Sequence, residues 1–280
     1  MITIYLSGGL GNQMFQFSAA YQISLYKKTS VKINIANCTV RNYELDIFPL
    51  IKNKFIPSKF KTSLNLKVLR PFNFFFRRND FFESHPFVYD LNIEKVSNNT
   101  NLVGYFQSEK YFLENRKDIL NIFKFEKSDD SKFLSIKKII EDSQSVSIHV
   151  RRGDYVENKN ANKYHGTLPI SYYKKATNFI VSHVKNPKFF LFSDDLHWAK
   201  QNFSFLQSFY LVDINTGKLA YRDMHLMSLC KHNIIANSSF SWWGAWLNQN
   251  SSKIVIAPRR WVKEKSEPIL DIIPKSWHAL

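Results

Sequence analysis

Val146-Ser147-Ile148-His149-Val150-Arg151-Arg152-Gly153-Asp154-Tyr155 decides how the rest of the chain is read. Its first five residues alternate apolar and polar, as a strand does, and the next four turn polar with a glycine among them. The same change recurs downstream. Lys188 to Phe192 runs into Ser193-Asp194-Asp195, His232 to Ala236 into Asn237-Ser238-Ser239, and Lys253 to Ile256 into Pro258-Arg259-Arg260. Helical patterns over Ile170 to Val184, Leu196 to Phe203 and Tyr221 to Lys231, then a helix carrying Trp242, Trp243 and Trp246, lie between these strands. Strand and helix in alternation predict an α/β fold with a parallel sheet, whose ligands gather beyond the carboxyl ends of the strands.

The first half opens in the same way. Ile2 to Leu6 reads as a strand, Ser7 to Gln13 as a tight loop, and Met14 to Lys27 as a helix with Met14, Phe17, Tyr21 and Leu25 on one face. Val31, Ile33 and Ile35 alternate as a second strand, and Asn101 to Phe106 is another. Between Phe48 and Thr100, Pro49, Pro57, Pro71 and Pro86 interrupt any long element, so loops and short helices are expected. The charged stretch from Glu126 to Lys138 is the expected bridge, which divides the chain into domains 1–135 and 136–280.

A chain of 280 residues with 44% hydrophobic and 16% aromatic content buries a large core. Cys38 and Cys230 stand far apart, so no disulfide framework or cysteine-rich zinc site is expected, and a reducing compartment fits. The first residues lack a basic n-region with a long apolar core, and no run of about 18 apolar residues follows, so a soluble or peripheral protein is expected. Lys and Arg outnumber Asp and Glu by 39 to 23, a net charge of +16. That excess favours anionic partners: nucleic acid, an anionic membrane surface or a phosphate-bearing substrate. The basic residues do not form one stripe and no nucleic-acid recognition motif occurs, which argues against a nucleic-acid-binding module.

Four clusters could carry chemistry. The loop Ser7-Gly8-Gly9-Leu10-Gly11-Asn12-Gln13 permits close backbone approach to a ligand. It is neither a dinucleotide fingerprint, since Met14 would stand at the third glycine, nor a P-loop, since no Gly-Lys-Ser/Thr follows. Arg151 and Arg152 offer planar forks for diphosphate oxygens, unless one of them merely pairs with Asp154. Ser238, Ser239 and Phe240 stand at a helix N-terminus that attracts phosphate, where the bland alternative is ordinary capping; the tryptophans read as core. Asp194 and Asp195 could read a guanine ring, cap the next helix or hold a metal. No Asp-x-Asp pair occurs, so arginines and a helix dipole would neutralise a leaving diphosphate.

Taken together, Gly8 to Gln16, Gly104 to Glu109, His149 to Tyr155 and Ser238 to Trp246 resemble the α-1,2-fucosyltransferases of glycosyltransferase family 11, bacterial type. The resemblance implies a GT-B fold of two facing Rossmann-like domains with an interdomain cleft. It implies GDP-fucose held by the C-terminal domain and a galactose-terminated acceptor held mainly by the N-terminal one, with inversion and with no cofactor or metal. In residues, it implies Arg152 and Asn12 as catalytic groups, with Asp154 or His149 as general base. Arg151, Arg152, Ser238, Ser239, Phe240, Gly9 and Gly11 would hold the donor, with Asp194, Asp195 or Asp223 reading guanine; Gln13, Gln107 and Glu109 would face the acceptor. Another linkage or another GDP-sugar is the alternative within the class. A cytoplasmic enzyme peripheral on the inner membrane face, acting on a lipid-diphosphate-linked glycan in O-antigen or capsule synthesis, completes the expectation.

Overall fold

The computed structural model describes residues 1–39, 41–59, 79–263 and 271–280, without the side chains of residues 154 and 161. The chain forms two compact units, Met1–Glu126 with Leu270–Ile272, and Lys127–Ile269 with Ile273–Leu280. The first unit contains β1 (Ile2–Tyr5), α1 (Leu10–Tyr26), β2 (Val31–Asn34), α2 (Pro49–Lys54), β3 (Asp80–Phe82), β4 (Asn101–Val103) and α3 (Arg116–Ile122), with short 3-10 turns between them. Its sheet has the order β2-β1-β4-β3, and every pairing among the described residues is parallel. The second unit contains α4 (Ser131–Glu141), β5 (Gln144–Val150), α5 (Gly153–Glu157), α6 (Lys159–Tyr164), α7 (Ile170–His183), β6 (Pro187–Ser193), α8 (Leu196–Asn202), β7 (Tyr210–Val212), α9 (Tyr221–Leu229), β8 (His232–Ile234), α10 (Ser239–Leu247), β9 (Val255–Ala257) and β10 (His278–Ala279). Its sheet runs β10-β9-β8-β5-β6-β7, again all parallel.

Strand β5 is buried on both faces from Ser145 to Val150, as parallel strands covered by helices are. Val146, Ile148 and Val150 pack with Leu191, Ile234, Ile256 and Ile180 in one core. Tyr172 of α7 carries its hydroxyl into that core and donates to Ile235 O at 2.7 Å and to Ile256 O at 3.2 Å, so a buried polar group ties two adjacent strand ends. Trp242, Trp243 and Trp246 of α10 are all but fully buried. Gly244 lies so close to α9 that an added Cβ would stand 3.0 Å from Met227 Cβ.

Several expected boundaries move. Helix α1 begins at Leu10, one turn before Met14, because the Glu44 carboxylate accepts the Leu10 amide at 2.9 Å and Gly9 O accepts the amides of Asn12 and Gln13. Its buried surface is broader than a stripe and leaves Leu25 exposed, so that residue is not on the core face. Strand β4 stops at Val103 rather than Phe106, since Glu83 captures the next amides. The proline-interrupted stretch holds α2, with Pro49 at its first position, and β3; residues 60–78, Pro71 included, lie outside the described residues. Much of the expected bridge is α4, capped by Asp130 Oδ1 on Phe133 N at 2.8 Å. The break therefore falls after Glu126, and a boundary at 135 would cut that helix.

Candidate active site

In the second unit the polar clusters meet because their strands are neighbours. Val150 of β5 is paired with Ser193 of β6, so Arg151-Arg152 and Asp194-Asp195 emerge side by side. Arg151 Nη1 lies 2.9 Å from Asp194 Oδ2, and the Arg152 amide donates to Asp194 Oδ1 at 2.8 Å. Gly153 leaves room for that carboxylate: a Cβ there would come within 2.8 Å of Asp194 Oδ2. Arg152 Nε donates to Asp195 Oδ2 at 3.3 Å, and its guanidinium lies 4.0 Å over the Trp198 ring. The other oxygen of Asp195 caps α8 through Trp198 N at 3.0 Å. The guanidinium is thus held by its inner edge and one face, and its two terminal nitrogens have no partner among the described residues. Asp194 serves the arginines and Asp195 caps, so neither carboxylate stands unengaged to read a base. The side chain of Asp154, on α5, lies outside the described residues.

On the other side of β5, β8 leads to α10. Ser238 occupies the N-cap in extended conformation, but neither it nor Ser239 closes a capping bond: the side-chain oxygen near this end is Ser241 Oγ, which donates back to Ala236 O and Ser238 O. The amides of Ser239 and Phe240 therefore have no acceptor among the described residues, and they carry the positive end of the helix dipole. His149 is buried with its ring centroid 5.7 Å from that of Phe240 and its Nδ1 without a partner among the described residues. Burial holds its pKa down to about 4, so it is neutral at pH 7, better placed to accept a hydrogen bond than to keep a proton.

Asp223, in the first turn of α9, accepts from Asn215 Nδ2 at 2.6 Å, and burial pushes its carboxyl up to about 7. A folded state that holds a proton more tightly than the unfolded chain loses stability as pH rises between the two pKa values, here from about 3.8 to about 7, and is level above that. Asp223→Asn keeps an acceptor for Asn215 and abolishes this slope. Urea unfolding at pH 4 and pH 8 should show the variant gaining about 2 kcal/mol on the parent at the higher pH. That is half of what about 1.4 kcal/mol per pH unit would give, since the residue is only partly enclosed. Equal differences at both pH values would mean the carboxyl is not perturbed.

In the first unit the loop after β1 is shaped by buried amides. Gln13 is fully buried; its Nε2 donates to Gly8 O at 2.9 Å and Asn42 O at 2.7 Å, and its Oε1 accepts Glu44 N at 3.0 Å. It is therefore scaffold, not an acceptor-facing group, because none of its polar atoms is left for a substrate. Gln16 does similar work between Ser7 and Gly104. Gly8, at φ +75, would place a Cβ 2.5 Å from Asn12 Nδ2, so its missing side chain makes space for that amide. Asn12 Oδ1 accepts from Gln107 Nε2 at 2.7 Å. Around Gly9 a Cβ would meet nothing within 4 Å, whereas Gly11 is buried. Glu109 opens a 3-10 turn, and its charge faces Arg116. Glu83, which no local pattern singles out, is buried with its carboxyl pushed up to about 7 by that burial.

Gly9, Gly11, Asn12 and Gln107 thus stand at the carboxyl edge of the first sheet, and His149, Arg151, Arg152, Asp194, Asp195, Ser238, Ser239 and Phe240 at that of the second. Among the described residues no group of three or more His, Cys, Asp or Glu is gathered as a metal-ion site, and no helix is long and apolar enough to cross a membrane.

Two parallel-sheet units in one chain, each with its polar residues at the carboxyl edge, are the architecture of the GT-B glycosyltransferases. A variant of Arabidopsis thaliana FUT1 in complex with GDP has the same fold, with a TM-score of 0.52 at 11% identity over 91% of this chain and 69% of that one. The chain belongs to glycosyl transferase family 11, whose profile matches residues 1–280. It is 36% identical to the O-antigen biosynthesis glycosyltransferase WbnK of Escherichia coli, over 91% of this chain and 93% of that protein. It is 35% identical to an alpha-1,2-colitosyltransferase of Escherichia coli, over 99% and 98%.

Proposed function

We propose that this glycosyltransferase moves L-fucose from GDP-β-L-fucose to the 2-hydroxyl of a terminal β-galactoside, with inversion and without a metal, in the building of a surface glycan. The observation that carries the reading is Arg152: a guanidinium fixed by Asp195 and Trp198, with its outer nitrogens open, just past the end of β5, the strand next to the one leading to the uncapped end of α10. Fork and helix end together supply donors for a leaving diphosphate. In the reaction, the acceptor O2 attacks the anomeric carbon as the bond from that carbon to the phosphate oxygen breaks. The electron pair leaves with GDP, and the hydroxyl proton passes to a base. Asp154 or His149 is that base; the imidazole of His149, its pKa held down to about 4 by burial, is unprotonated at pH 7 and able to accept. Asn12 orients groups near the reacting carbon through its amide. Gly9 gives the nucleotide sugar room for a close backbone approach.

The test is incubation of the purified protein with GDP-fucose and a panel of β-galactosides, with and without EDTA, the product being read by mass spectrometry and NMR. An α-fucoside on the galactose 2-hydroxyl that forms equally in EDTA is the expected result. Substitution elsewhere, or no transfer, would remove the assignment. A second donor is favoured by the similarity to the alpha-1,2-colitosyltransferase over nearly the whole chain: colitose is the 3-deoxy counterpart of L-fucose, and GDP-colitose in the same assay decides between them by kcat/KM. The +16 charge supports peripheral binding to the inner face of an anionic membrane, where a lipid-diphosphate-linked acceptor would reside. Salt-sensitive sedimentation with phosphatidylglycerol vesicles tests it.

A further inference from the structure

Glu83 takes no part in the chemistry just set out, yet it organises the strand-end loop of the first unit. It follows β3 directly and continues that strand's pairing, its amide donating to Val103 O at 3.0 Å. Its two carboxylate oxygens then accept the successive amides of Tyr105 at 2.6 Å and Phe106 at 2.8 Å. Phe106 sits at φ +54, a region that costs a bulky residue about 1–2 kcal/mol and persists only where the surroundings over-determine it. The surroundings do so here. The Phe106 ring is fully buried, edge-on to Tyr111 at 5.3 Å, Gly104 O accepts from Gln16 Nε2 at 2.8 Å, and the Gln107 amide donates to Pro86 O at 3.0 Å. The product of this reversal is the direction of Gln107, whose Nε2 reaches Asn12 Oδ1. Because that contact occupies the oxygen of the Asn12 amide, it leaves the Nδ2 end as the one presented to a ligand.

We infer that Glu83 is a positioning residue for transfer: by gripping the Tyr105 and Phe106 amides it aims Gln107, and through Gln107 it fixes which end of the Asn12 amide faces the substrate. The inference rests on the reading of Asn12 as a group near the reacting carbon. Glu83→Gln keeps size and polarity but replaces one of the two accepting oxygens with an NH2, so one backbone amide loses its partner. Hydrogen exchange of whichever of the Tyr105 and Phe106 amides loses its acceptor should then speed tenfold or more, with or without substrates. In the transfer assay kcat should fall about tenfold, with both KM values within twofold of the parent.

The deciding measurement is a double-mutant cycle. Asn12→Ala should lower kcat, and adding Glu83→Gln to it should lower kcat no further. If the two losses multiply, or if Glu83→Gln lowers only the melting temperature, Glu83 is scaffold and the inference falls while the reading of Asn12 stands. If Asn12→Ala alone keeps the parental kcat, the reading of Asn12 falls and takes the inference with it. Glu83→Asp, which keeps both oxygens and shortens their reach, replaces the glutamine variant in every arm should the latter not fold.

Discussion

Arg152→Ala should lower kcat about 10²- to 10³-fold with little change in melting temperature, the cost typical of removing a preorganised donor from developing negative charge. The separation of rate from stability follows from the geometry. Arg152 spends one nitrogen on Asp195, a part-exposed pair worth at most about 1 kcal/mol to the fold, and one face on Trp198. Its outer edge supports nothing in the described residues. Arg152→Lys is expected to recover less than a tenth of the lost rate, because an ammonium can neither lie flat on the indole nor offer two parallel N–H groups. Steady-state kinetics with thermal unfolding of the same samples checks both. A melting temperature that falls while kcat holds would make the arginine a structural group.

Gly104→Ala is expected to be the most destabilising single methyl in the first unit. The new Cβ would stand 2.4 Å from Glu83 Cβ and 2.7 Å from Glu83 Oε2, with the Phe106 ring at 3.1 Å. Glu83 and Phe106 are both buried, so the strain cannot be passed to a free side-chain end. Overpacking of this kind costs about 1–3 kcal/mol, and displacing the carboxylate leaves two backbone amides without their acceptor, about 1–3 kcal/mol more. Gly9→Ala is the control, since its methyl meets nothing within 4 Å. Urea unfolding should show the first losing about 3 kcal/mol and the second within about 0.5 kcal/mol of the parent. Similar values for the two would mean the Gly104 loop yields more readily than its packing implies.

What could be read from the chain beforehand was whatever has a local period. The strands β1, β5, β6 and β8 announce themselves by alternation or by apolar runs, and the clusters at Arg151-Arg152, Asp194-Asp195 and Ser238-Ser239 follow because polar residues after a strand mark its carboxyl end. The burial of the α10 tryptophans followed from their helical spacing. What escaped depends on partners distant in sequence. Glu44 starts α1 from 34 residues away and Glu83 ends β4 from 22 residues away, and nothing around either glutamate hints at it. The family resemblance implies an acceptor-facing Gln13, but one position on a helix turns a side chain by about 100°, here from the half-open setting of Asn12 into the core. Strands β3, β7 and β10 escaped as well, each being fixed by its pairing with a strand distant in sequence, β4, β6 and β9 respectively.

The segment around Asp271 joins the first unit only after most of the second has been made. After residue 269 the chain re-enters the first unit, where the Asp271 amide donates to Phe87 O, its carboxylate receives Tyr89 N and Lys110 Nζ, and only then does β10 close the edge of the second sheet against β9. Synthesis is vectorial, so on the ribosome the N-terminal half waits with this clamp open until nearly all of its successor has been made. A premature stop or a protease nick just short of Asp271 would therefore strip support from both halves at once. Cellular quality control would meet such a lesion as damage to the first unit as much as to the second.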